Sequence, residues 1–185
     1  SKSTELNSFG GRFKYSKVSS LIDNTSTSIT SNITKIKIRR DLQPEYNKLA
    51  TYEICFGNQF HIKKLNSDGR GYNIKSTGFK VSGLSQDVYL GDIPDTNKNT
   101  GSIFLFSLDS PASKNPSILQ RNAGKIDYVN GIITLNPINI ISAPIKNGQP
   151  TIEISVAPQS NDVIGLQDLY LQLDISMSTF QMVTD

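Results

Sequence analysis

Cys55 and His61 are the single cysteine and single histidine of the 185-residue chain, and they form the one pairing whose types suit nucleophilic catalysis. A thiol becomes a nucleophile only when a base lies within hydrogen-bond reach, and nothing between Cys55 and His61 enforces that approach. The residues themselves give a plainer reading: Cys55, between Ile54 and Phe56, is an inert buried thiol in a strand, and His61 is a surface residue after it. One cysteine excludes an intrachain disulfide, and one histidine excludes a multi-histidine metal centre. Asp95-Thr96-Asn97-Lys98-Asn99-Thr100-Gly101 spaces oxygen side chains as a calcium loop does. The pattern then breaks, with Thr100 where the loop needs Gly and Phe106 where it needs a bidentate Glu. A polar turn between strands is expected there. The chain has no phosphate loop, no GxSxG and no HExxH, and its acidic residues single out no pair for glycoside hydrolysis. The expectation is therefore not an enzyme, with no cofactor, no metal and no small-molecule substrate. What remains is cationic: Lys35, Lys37 and Arg39, followed by Arg40, form a basic row and the candidate protein-protein interface for an acidic partner surface.

That row needs an element to display it. Asn32 to Arg40 alternates with period two, which directs Ile36 and Ile38 inward and Lys35, Lys37 and Arg39 outward along a strand. Before it, Tyr15, Val18, Leu21 and Ile22 fall at helical spacing, and Asp23-Asn24-Thr25-Ser26 ends the helix. Thr51 to Phe56 is a further strand expected to pair with the basic one, the connection running through Pro44. Asn66-Ser67-Asp68-Gly69-Arg70-Gly71 is a turn cluster, and it divides a helix-plus-strand module, 1–66, from a β-rich module, 72–185.

The second module reads as short strands at Tyr72–Ser76, Phe79–Val81, Val88–Leu90, Ile103–Leu108 and Ile152–Val156, the last following the turn Asn147-Gly148. Asn130-Gly131 predicts a two-residue hairpin with Val129 opposite Ile132, Tyr128 opposite Ile133 and Ile126 opposite Leu135. Ile126, Tyr128, Ile133 and Leu135 then share one face, and Asp127 and Thr134 take the other. Leu169, Leu171, Leu173, Ile175 and Met177 alternate with polar residues as a long half-buried strand. The fold class is α+β, predominantly β, with a strand-rich antiparallel second part.

Composition agrees with this. Charged residues are 19% of the chain, below the average soluble domain, and Ser, Thr and Asn supply the polar surface. A net charge of +3 with dispersed cations gives no reason to expect nucleic acid as a partner. No apolar run approaches the roughly 20 residues of a bilayer span, so membrane insertion is not expected. The start at Ser1-Lys2-Ser3 without Met reads as an excised segment or tag remnant.

Several ordered segments carry a resemblance. Phe9-Gly10-Gly11-Arg12-Phe13-Lys14-Tyr15-Ser16, the run from Leu21-Ile22-Asp23 to Asn32, and Lys35 to Arg40 come first. Tyr52 to Asn58, Gly71 to Phe79, Gly124 to Tyr128 and Ser160 to Ile164 follow in the same order. Together they resemble the C-terminal half of the large baseplate wedge protein of T-even-type contractile-tailed bacteriophages, and the opening resembles the module shared with the baseplate J-like group. The resemblance implies a structural role in the virion tail baseplate, assembled in the host cytoplasm. It also implies a homodimer that binds other baseplate wedge proteins and builds an inner ring that rearranges on sheath contraction. The alternative reading is a carbohydrate- or receptor-binding β module. It would use Tyr72, Tyr89 and Tyr170, in a chain without Trp.

Overall fold

The computed structural model describes residues 12–63, 72–109, 116–165, 171–175, 178–179 and 181. The elements run β1 (Arg12–Phe13), α1 (Tyr15–Asp23), β2 (Ile38–Leu42), β3 (Leu49–Cys55), β4 (Lys75–Ser76), β5 (Lys80–Val81) and β6 (Tyr89–Pro94). They continue β7 (Thr100–Leu108), β8 (Pro116–Asp127), β9 (Ile132–Ser142), β10 (Ile145–Lys146), β11 (Gln149–Pro150), β12 (Ile152–Val156) and β13 (Val163–Ile164). Every ladder is antiparallel, and α1 is the one helix longer than a turn among the described residues.

The main sheet is ordered β3-β9-β8-β7-β6, with β5 on the far end of β9. A second sheet, β2-β12-β4, packs with it, and Ile54, Ile74, Leu90, Ile126, Ile133, Ile152 and Ile154 belong to one core. The 66–71 boundary, with the whole of its turn cluster, lies outside the described residues. On either side of it the strands interleave: β2 and β3 find partners in β12 and β9, and β1 in β13.

α1 forms where its periodicity places it and ends at Asn24, whose N–H returns to the Ser20 carbonyl. Its first N–H is taken by Asp162, which bonds the Tyr15 amide at 2.9 Å from the far end of the chain. No residue of α1 is fully buried, and Leu21 is 70% exposed.

Burial alternates from Asn32 to Arg40 as the sequence pattern requires, but ladder hydrogen bonds begin only at Ile38. The partner of β2 differs from expectation. It pairs with β12, not with β3, because β12 offers Ile152, Ile154 and Val156, against which Ile38 and Leu42 reach the core. The Pro44 connection carries the chain to the other sheet, where β3 joins β9.

The two Asn-Gly turns behave differently. Asn147 and Gly148 both have positive φ, 52° and 78°, and close the two-residue hairpin β10-β11 as the dipeptide prefers. At Asn130-Gly131 only Gly131 does, with φ 67°, and the loop is four residues long, Tyr128 to Gly131. Ile126 therefore sits opposite Ile133, two residues from the expected register, and Asp127 opposite Ile132. Asp127 causes the longer loop. Its carboxylate accepts the N–H groups of Val129 and Asn130 and the Asn130 amide, an Asx turn that tightens the chain before the dipeptide is reached. A slip of two preserves the face, so Ile126, Tyr128, Ile133 and Leu135 are all buried together.

The expected strand at Leu169–Met177 is absent among the described residues. Residues 171–174 are in no strand, and Leu171, Leu173 and Ile175 are exposed. The alternation is present, but no neighbouring strand pairs with it there.

Gly131 presses its α-carbon against Asn58, so that a β-carbon would lie 2.1 Å from the Asn58 carbonyl oxygen, whereas Gly148 has open space around it. Gly131→Ala should cost more than about 2 kcal/mol and Gly148→Ala about 1 kcal/mol, the left-handed backbone penalty alone. Urea unfolding of the two variants measures the difference.

Candidate interface and its polar support

The site rests on a buried polar network. Asp92, on β6, is 1% exposed. One of its oxygens accepts the backbone N–H groups of Asn73 and Ile74, each at 2.7 Å, and the other accepts the Tyr128 hydroxyl at 2.7 Å. Asn73, also buried, extends the network outward. Its amide donates to the carbonyls of His61 and Ala157, and its oxygen accepts the Ala157 N–H. Burial raises the Asp92 carboxyl above its ordinary value while those hydrogen bonds and the nearby Lys63 oppose the shift. The same burial, with Asp92 beside it, pushes the Tyr128 hydroxyl far up.

Lys35, Lys37 and Arg39 all project to solvent, as the alternation requires. They do not act as one stripe. Arg39 is held by Asp41 and Glu153, and Lys146 from β10 binds the same two carboxylates. The reason is register: β2 and β12 place Asp41 directly opposite Glu153, and two facing carboxylates need cations between them.

Lys37 belongs to a different group. Together with Lys63, Asn73 and Lys75 it bounds a shallow recess floored by Ser155, Val156 and Ala157. Register places two of them: Lys75 faces Ser155 across β4-β12, and Lys37 is the residue just before Ile38, which pairs with Val156. Burial lowers Lys75 below the ordinary lysine value, and the charges of Lys37 and Lys63 lower it further. Lys63 and Lys75 carried no signal as partners of Lys37, because the β12-β4 pairing that places Lys75 and the Phe60–Pro158 bridge and His61–Ala157 hydrogen bond that place Lys63 are not written in any local pattern.

The other sequence candidates separate. Cys55 is exposed, a correction to the buried thiol: Ile54 and Phe56 take the core and the alternation turns Cys55 outward, near Glu53. His61 is exposed. The Asp95–Gly101 segment is a turn whose oxygens serve itself, with Asn97 accepting from Asn99 and Thr100, and Asp95 from the Thr100 hydroxyl. No cluster of metal-ligating side chains occurs among the described residues. Tyr72 and Tyr89 pack against Phe106 at ring distances of 5.2 and 5.6 Å and are half-buried, and Tyr170 lies outside the described residues.

The fold and surface thus define an antiparallel β scaffold that carries an uncovered helix face and a basic recess. Residues 2–41 match a family described as baseplate structural protein gp6, C-terminal domain III. That short segment, which includes α1, the basic row and most of β2, is similar to a phage baseplate structural protein. No curated protein matches the chain.

Two measurements probe this network. Asp92→Ala strands three donors, at about 1–3 kcal/mol each, and should lower stability by at least about 3 kcal/mol in urea unfolding. Because the native state binds the Asp92 proton more tightly than the unfolded chain, wild type should gain stability over Asp92→Asn as pH falls through the native Asp92 pKa, the gain levelling off below the unfolded value. At the recess, Lys63→Gln removes one repelling charge, so the Lys75 ammonium should titrate higher by side-chain nitrogen NMR.

Proposed function

We propose that this chain is a structural, non-catalytic component of a phage tail baseplate wedge. In this reading it associates with itself as a homodimer and with neighbouring wedge proteins, within the inner baseplate ring that rearranges on sheath contraction. The observation that carries the reading is the match of residues 2–41 to baseplate structural protein gp6, C-terminal domain III. The architecture supports it, because the matched segment is built into the body of the protein: β1 pairs with β13, β2 with β12, and Asp162 caps α1.

Uncovered apolar surface supports association. Leu21 on α1 and Leu171, Leu173 and Ile175 near the C-terminal end are all more than half exposed. Each offers apolar area that association with another chain would remove from water. Location in the virion tail baseplate, after assembly in the host cytoplasm, follows from the same role.

Mass spectrometry of purified virions, with tails separated from capsids, tests the proposal. Recovery of this chain with the tail fraction in fixed stoichiometry to other baseplate proteins is the expected outcome. Its absence from tails, or its presence only in unassembled lysate, would sink the reading.

A further inference from the structure

Beside the three-stranded sheet, Arg39 and Lys146 are matched locally with Asp41 and Glu153. Lys37, Lys63 and Lys75 are not. They converge on one recess of about 60 Å³ and meet one another there, with no ion pair to a carboxylate recorded for any of them among the described residues. Like charges brought together in this way oppose folding, and an anion supplied from outside would reverse the sign of the interaction.

We propose that the recess bounded by Lys37, Lys63 and Lys75 is a docking site for an Asp or Glu side chain presented by an acidic segment of a partner protein. The volume has room for a handful of water-sized groups, enough for a carboxylate. Three ammonium groups supply donors from several directions, and the Ser155–Ala157 floor closes the back. A polynucleotide is disfavoured on two counts. No aromatic side chain lines the recess to stack a base, and a net charge of +3 is modest for a chain that tracks successive phosphates.

The support behind the recess is rigid. Asn73 lines it and is fixed by three hydrogen bonds, two to Ala157, while its own backbone N–H is held by Asp92. The lysines therefore surround a preformed concavity, which lowers the ordering cost of docking. The proposal rests on the baseplate reading only for which protein the partner is; the recess chemistry stands by itself.

The test is titration of the 185-residue chain with hexaglutamate at low salt, followed by backbone and lysine side-chain NMR. Saturable shifts at Ser155, Val156 and Ala157 are expected, with the Lys75 ammonium titrating higher in the complex. The triple variant Lys37→Gln, Lys63→Gln, Lys75→Gln should bind at least about tenfold more weakly, a loss of about 1.4 kcal/mol. It should stay folded, since the change relieves repulsion, and dispersed amide resonances check this. A control with Lys35→Gln, Lys98→Gln and Lys125→Gln removes the same net charge elsewhere and should bind within about twofold of wild type. Equal weakening in both variants, absence of saturable shifts at the recess, or tighter binding there by inorganic phosphate or a thymidine oligonucleotide would overturn the proposal. Each of those results can occur with the chain still recovered in virion tails, so failure of the recess and failure of the baseplate role are separable.

Discussion

Asp92 is the constraint on which the rest of this structure depends. A carboxylate removed from water is tolerated only when its oxygens are occupied, and here the occupants come from two stretches of chain, both separate from β6. The Asn73-Ile74 backbone, the β6 strand and the loop after β8 must all be in place before Asp92 is satisfied. Hydrophobic burial would allow these pieces to slide against one another, since apolar contact is non-directional. The hydrogen bonds fix their positions. Asn73 then passes that fixity to Ala157 at the end of β12, and so to the floor of the lysine recess.

A second polar arrangement sits close by at the surface. Asp41 and Glu153 face each other across β2 and β12, and Arg39 and Lys146 bind both. These side chains are roughly a third exposed, so each pair contributes little to stability by itself. Their effect is on availability: they take Arg39 out of the basic row and leave Lys37 to a different set of neighbours. A row that looks continuous in sequence is thus divided by the register of one strand pair.

What was legible in the sequence followed local periodicity. The helix from Tyr15, the inward face of Ile126, Tyr128, Ile133 and Leu135, and the outward direction of Lys35, Lys37 and Arg39 depend on spacing alone, and spacing is visible. The two-residue turn at Asn130-Gly131 was misread because Asp127 competes for the same backbone N–H groups, a contest the dipeptide rule does not include. Cys55 was misplaced because its apolar neighbours suggested burial, when a period of two makes those neighbours the reason it faces outward. The alternation around Leu173 marks strand competence, yet a strand exists only where a partner offers its edge. Lys63, Lys75 and Asp92 lay beyond local pattern altogether, since their neighbours are set by sheet order.

The pairing of β1 with β13 and of β2 with β12 sets a schedule for synthesis. Arg12 leaves the ribosome long before its strand partner Ile164. Ile38 waits similarly for Val156, and the first amide of α1 for Asp162. Contacts this distant close late, because loop entropy must be overcome first. The segment from Arg12 to Leu42 is thus without its sheet partners until β12 and β13 have been made. The β6-β7-β8-β9 meander, by contrast, pairs strands that are neighbours in sequence, so its contacts close at the lower loop-entropy cost.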